Sequence, residues 1–203
     1  MIVATRGNSS ILRRWPAVLL AAVLLAAGCT SGGRSGGGQT TTSGAAPAQP
    51  LRVRLVATAK VPPGGPSAER AAQQAAPGLE RFLDRYLGAA FVNAAGGEAG
   101  WDGLLGLFDQ PVRASARKQL DALSLGAAAP TVTAVRPGQA TARAVVLYGE
   151  RRPEAATVRV SFDGTADTAQ GSGPVHLRSV LQLLATGDGW RIAAFDSRTG
   201  SSK

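Results

Sequence analysis

The chain from residue 51 onward predicts an α+β domain, with N-terminal helices packed on a curved antiparallel sheet of about five to six strands. Three observations lead there. Apolar residues recur at helical spacing in the first half, alternation with period two takes over at Thr131, and glycine- and aspartate-bearing turns separate the alternating runs. Helices first and strands afterwards is the segregation expected of this class.

Taken in order, Leu51–Lys60 alternates in part and predicts an opening strand, ended by Pro62, Pro63, Gly64, Gly65 and Pro66. Ser67 then suits a helix N-cap. Leu79, Phe82, Leu83, Tyr86, Leu87, Ala90 and Phe91 form one apolar stripe, opposite Glu80, Arg81, Asp84 and Arg85. Pro77-Gly78 is expected to kink or restart this helix, and Gly96, Gly97 and Gly100 to break it. Trp101–Phe108 reads as a short apolar helical segment. Asp109 caps the next helix, with Pro111 in its first turn, Val112, Ala116, Leu120 and Leu123 as its buried stripe, and Gly126 and Pro130 closing it.

Strands are expected at Thr131–Arg136, Ala140–Tyr148, Ala155–Asp163, Val175–Thr186 and Trp190–Asp196. Pro137-Gly138 predicts a tight turn between the first two, and Gly187-Asp188-Gly189 the last hairpin. Gly164–Pro174 reads as a long polar loop, with Asp163 and Asp167 as turn residues.

Ahead of this domain stand two segments of different character. Residues 1–28 carry Arg6, Arg13 and Arg14 without an acid, then an apolar run to Ala27. The run is ~11 residues, too short for a spanning helix of about 20, and matches the apolar region of a cleavable signal. Leu25-Ala26-Ala27-Gly28-Cys29 resembles the bacterial lipobox, with Ala26 where that motif usually has leucine. The resemblance implies a lipoprotein signal peptide over residues 1–28 and lipid attachment at Cys29. Cys29 is the one cysteine in the chain, so no internal disulfide is open to it. Arg13-Arg14 also fits twin-arginine export, but Leu12 stands where that signal normally has Ser or Thr, which favours the general secretory route. Thr30–Pro50 is dominated by Gly, Ser, Thr, Ala and Pro, so residues 29–50 read as the lipidated cysteine and a disordered tether. Such a tether has an r.m.s. reach of ~25 Å. Residues 51–203 then form a single domain, long enough to bury a core without disulfides.

All thirteen acids follow Cys29 and three of the 22 basic residues precede it, which leaves the mature chain at a formal +6. Nearly all the basic residues are arginine, and with the abundant alanine and glycine this composition is similar to that of high-GC bacteria such as actinobacteria. A basic surface suits anionic lipid headgroups or cell-wall polymers. Basic and aromatic residues do not cluster in a nucleic-acid-reading pattern, and nucleic acid is not an expected partner.

The helix stripe Leu79–Phe91, the Trp101 segment and the closing run His176–Asp196, with its Gly-Asp-Gly turn and Trp-x-Ile strand, resemble the NTF2-like (cystatin-like) superfamily. The resemblance covers roughly Ala68 to Asp196; the opening strand lies outside it. It implies a sheet curled around the helices into a cone, with a pocket at its open end. Members range from SnoaL-like polyketide cyclases, steroid isomerases and dehydratases to non-enzymatic modules of transport and secretion assemblies. Fold alone therefore does not decide function.

Those enzymes use a buried Asp or His as general base. His176 is the single histidine, and alternation puts it with Arg178, Val180, Gln182 and Leu184 on the less apolar side of its strand. Tyr86, Trp101, Tyr148 and His176 are the candidate pocket residues, with Trp190 a further aromatic. No residue is assigned a catalytic role: no nucleophile-elbow serine, phosphate-binding glycine loop or cluster of metal ligands stands in the domain. Neither metal nor cofactor is expected.

Three functions remain open. The first is an envelope lipoprotein that presents a non-catalytic binding or assembly module outside the membrane. The second is a pocket protein for a small apolar ligand, or an isomerase-like enzyme. The third is a basic binder of the cell-wall surface, which requires arginines gathered on one side. The expected location is the outer face of the cell membrane, held by lipid, with the membrane and an envelope protein as expected partners.

Overall fold

A computed structural model describes residues 51–94 and 99–200. The signal, Cys29 and the tether lie outside the described residues, as do Gly96 and Gly97. The domain is α+β, a five-stranded mixed sheet with helices packed on one face.

Helix α1 (Ala68–Leu87) begins where Ser67 Oγ accepts the Arg70 N–H at 3.3 Å. It runs through Pro77 without the expected restart. Pro77 and Gln73, whose carbonyl loses its donor, both face solvent, so the missing bond leaves nothing buried unpaired. Gly78 serves packing instead. A Cβ there would lie 3.2 Å from Trp190 Nε1, so the glycine admits the indole against the helix. Every residue of the predicted stripe is fully buried, and Ala90 and Phe91 sit in a π-helical turn (Gly88–Val92) that continues α1.

Helix α2 (Ala99–Leu105) takes in Gly100, which is therefore a helix residue and not a breaker. Helix α3 (Gln110–Lys118) is capped by Asp109, whose Oδ1 accepts the Gln110 N–H at 3.0 Å. The predicted continuation to Leu123 is a separate turn, α4 (Leu120–Leu123), after a break at Gln119. Ala116 and Leu123 are fully buried; Val112 and Leu120 pack at the core's margin.

Strands β2 (Val132–Tyr148), β3 (Pro153–Thr168), β4 (Gly171–Thr186) and β5 (Gly189–Gly200) form an antiparallel meander. Strand β1 (Val53–Lys60) lies parallel to β2, from Val53 opposite Ala140 to Lys60 opposite Leu147, so the sheet is mixed and not antiparallel throughout. The helices between β1 and β2 supply the long return that a parallel pair requires. Asp84 ties the two layers, accepting the Val53 N–H at 3.2 Å.

Two expected irregular stretches are strand. Pro137-Gly138 is a bulge in one continuous β2, where the register shifts between Pro137 and Ala140 while pairing to β3 resumes on either side. A Cβ on Gly138 would lie 2.7 Å from the Asp163 carbonyl oxygen, so glycine permits this close approach. Gly164–Pro174 is not a loop either: Gly164–Thr168 pairs with Gly171–Val175 across a two-residue turn at Ala169-Gln170. Its polar composition reflects a hairpin arm that is largely half-exposed or exposed, with Ala166 its one buried residue. Among the described residues, β5 pairing begins at His176, so Pro174 has no strand partner there on its β5 side and its missing N–H is tolerated. Asp163 and Asp167 are accordingly strand residues, and Asp196 lies within β5, not at its end.

The interior between helices and sheet is filled by side chains. Phe91 stacks on Phe162 with ring centroids 4.8 Å apart, and Phe108 meets Phe195 edge-on at 5.4 Å. Around them Phe82, Leu104, Leu177 and Leu181 are fully buried. Phe108 also bridges β5 at Ile192, covering part of that edge.

Candidate functional site

The four aromatic and histidine positions singled out in the sequence do not converge. Tyr86 is in the core, on the inner side of the sheet. Burial pushes its phenol up to about 12, and the neighbouring Ser179 and Ser197 hydroxyls offset part of that rise. Those two hydroxyls bond each other at 2.5 Å, and Tyr86 Oη has no hydrogen-bond partner of regular geometry among the described residues. Tyr148 closes the other end of β2, where its hydroxyl donates to Gln74 Oε1 at 2.8 Å. Trp101 packs on the core's margin, and Trp190 covers Gly78.

His176 is on the outer face, as alternation predicts: Leu177, Ser179, Leu181 and Leu183 are buried, while its own side of β4 is open. On β3, Tyr148 pairs with Pro153 and His176 with Asp163, about ten residues or ~33 Å apart. One pocket cannot hold both.

What His176 does meet is a carboxylate. Its Nδ1 lies 2.7 Å from Asp163 Oδ1, and Arg178 reaches the same carboxylate at 3.1 Å. Partial burial pushes the Asp163 carboxyl up, but hydrogen bonds from His176 and Arg178, aided by the Arg178 charge, outweigh this and hold it below its ordinary value. Further along the hairpin arm, Ser172 and Arg136 bond Asp167, at 2.5 Å and 2.6 Å, and lower its carboxyl likewise. These ion pairs are open to solvent; their geometry ties strands together and presents no buried base.

The arrangement that the linear sequence hides is on the same outer face. Register places Arg54, Thr141, Ser161, Arg178 and Arg198 in one row across all five strands. The next row is Val56, Arg143, Arg159, Val180 and Asp196. Arg143 stands directly opposite Arg159, and Arg178 directly opposite Arg198. Like charges facing one another across strands are destabilising, yet all five arginines are exposed on this face. Among the described residues, Arg54, Arg143, Arg159 and Arg198 have no carboxylate within ion-pair distance. Two open grooves of ≈ 330 and ≈ 400 Å³ run between these side chains and share Arg159 and Ser161.

Each arginine occupies an outward position of its strand, so alternation alone gives its side of the sheet. What no local pattern shows is that five strands align them into adjoining rows. A separate groove of ≈ 470 Å³ between β1 and α1 is lined mainly by Ala57, Ala59, Ala72 and Ala76, with Glu69 as its one ionisable group. No family model, no curated protein and no solved structure matches the chain.

Proposed function

We propose that this chain is a lipid-anchored envelope protein that presents a non-catalytic binding module outside the membrane, with the outer face of its sheet as the contact surface. The observation that carries the reading is the double row of arginines. Cross-strand like-charge pairs work against the fold, and guanidinium groups in an open array are suited to bind oxyanions bidentately. The packed interior supports a module over a pocket enzyme: Tyr86 is fully buried in the core beside Ser179 and Ser197, and His176 is half-exposed beside Asp163. We read the fold as an NTF2-like variant. Helices on one face of the β2–β5 meander support that assignment, and the added parallel β1 is its departure.

The anchoring half of the proposal rests on the Leu25–Cys29 motif and the Gly/Ser-rich stretch behind it. Cys29→Ala should release the chain from membranes washed in high salt, while the wild-type chain stays and its N-terminal peptide carries the mass of a lipid. A Cys29→Ala chain that is processed and still resists the wash would refute lipid anchoring. For the contact surface, affinity capture from native envelopes should be lost on Arg143→Ser/Arg159→Ser; unchanged capture would locate the contact elsewhere.

A further inference from the structure

The outer face offers more than positive charge. Alongside the two arginine rows, the next rows carry Val145 and, further on, Leu147 and Leu184, exposed by 40%, 48% and 44%. Val56, within the second arginine row, is 58% exposed. These aliphatic side chains share their rows with Thr58, Thr157 and Gln182, and the last row ends in Lys60 and Arg191, so the face joins a block of arginines to exposed aliphatic side chains flanked by further cations. A soluble polyanion would use only the first part. A bilayer surface uses both, because its phosphates sit above the acyl boundary that receives aliphatic side chains.

We infer that this face lies on the membrane itself, with the phosphodiester headgroups of anionic phospholipids held in the two arginine-lined grooves. Arg159 serves both grooves, with Arg178 and Arg198 on one side and Arg54 and Arg143 on the other. The Thr141 and Ser161 hydroxyls stand within the first row, between Arg54 and Arg178, and can donate to phosphate oxygens that the guanidinium groups do not reach. Asp163 neutralises Arg178 only in part, since Arg178 is 57% exposed. Asp196 is the acid within the two rows.

The inference rests on the lipid-anchor reading for its geometry. The stretch Thr30–Pro50 joins Cys29 to the start of β1, the edge strand that bears Arg54 and Val56. A coil of that length reaches ~25 Å, so a chain anchored at Cys29 keeps this face within reach of the headgroups at high effective concentration. The lipid then holds the chain at the membrane, and the face sets how the domain lies on it.

The test separates the two ideas by removing the lipid. The mature chain from Cys29, carrying Cys29→Ser, is sedimented with vesicles of pure phosphatidylcholine or of phosphatidylcholine with about 30% phosphatidylglycerol, which offer an uncharged and an anionic surface. Binding is expected to the anionic vesicles and to fall steeply with salt. Each arginine near an anionic surface contributes about fivefold, so Arg143→Ser/Arg159→Ser should bind roughly 25-fold more weakly. Removing a like-charge pair should not lower the melting temperature, so that loss cannot come from unfolding. Arg117→Ser/Lys118→Ser, on the exposed end of α3, is the matched charge control and should bind as the parent does. Leu147→Ser should weaken binding further without changing its salt dependence. Equal binding to both vesicles, no binding, or equal loss in the α3 control would overturn docking while leaving Cys29 anchoring intact. So would binding to soluble poly(glycerol phosphate) in preference to the anionic vesicles, which would assign the face to a polymer.

Discussion

The two faces of the sheet are built from the same strands in alternate positions, yet their composition follows opposite rules. On the inner face, Phe162, Leu177, Leu181 and Ile192 are fully buried against the helices. At the alternate positions, the outer face carries Asp163, Arg178 and the paired arginines Arg143 and Arg159. The inner face is selected for burial, where each large side chain contributes about 1.5–3 kcal/mol. The outer face keeps charge pairs that cost stability. Such a surface is what the proposed contact would use, and the fold itself does not need it.

The comparison breaks most sharply at Phe162. It is fully buried and stacks on Phe91, so Phe162→Ala leaves a cavity that the aromatic neighbours cannot close. A loss of about 3–5 kcal/mol is expected, read as a lower urea midpoint. The part that remains folded should keep its outer-face arginines in register. A loss below about 1 kcal/mol would mean that the inner face is not the stabilising one.

Next comes Tyr86, the polar exception on the helix side of the core. An unfolded tyrosine ionises near 10, whereas burial raises Tyr86 to about 12. The folded state therefore holds its proton over a range in which the unfolded state has released it. Its contribution is complete below about pH 10 and is lost as pH rises toward 12, a change of order 2–3 kcal/mol. In Tyr86→Phe the alkaline loss of stability should shrink. Near neutral pH the variant should lose little, because the Tyr86 hydroxyl has no regular partner among the described residues. Denaturant midpoints from pH 8 to 12 decide this; an identical alkaline limb in both proteins would place the tyrosine outside the core.

How far either face was legible in the sequence depends on how local its signal is. The α1 stripe from Leu79 to Phe91, the Ser67 and Asp109 caps and the side of β4 that His176 occupies all follow from spacing within one element. The parallel placement of β1 does not, since pairing between Val53 and Ala140 has no local marker. Pro137-Gly138 and Gly164–Pro174 misled for a related reason. Turn-forming residues also suit bulges and open edges, and tertiary pairing decided which they became. The arginine rows are the extreme case: Arg54, Arg143, Arg159, Arg178 and Arg198 lie far apart in the chain and meet only through four strand registers.

The Pro137-Gly138 bulge gives a smaller, more local test of the same contrast. A Cβ at Gly138 meets a backbone oxygen, on Asp163, which cannot rotate away as a side chain would. Gly138→Ala should therefore cost about 1–3 kcal/mol. That value would show that the bulge is enforced by packing of β2 on β3. A neutral or stabilising effect would show that the strand can straighten locally.

The smallest expected effect concerns Asp163, the carboxylate that reaches two cations of the outer face. Hydrogen bonds from His176 and Arg178 hold it below its ordinary value of 3.8, so near that pH the unfolded chain binds more protons than the folded one. Its contribution is therefore present above the unfolded value and disappears as pH falls through the folded one. Because the group is more than a third exposed, the contribution should stay within the ~0–1 kcal/mol of solvent-screened pairs. Asp163→Asn should flatten the acid limb of stability between about pH 5 and pH 2 and converge with the parent at its lower end. Asp167, held down by Ser172 and Arg136, keeps part of that limb in place. The same substitution frees Arg178 toward the array, so binding to anionic vesicles at neutral pH should rise while stability falls. Opposite signs in the two readouts would tie the outer face to a contact beyond the fold; a change in stability alone would make Asp163 a strand tie and nothing more.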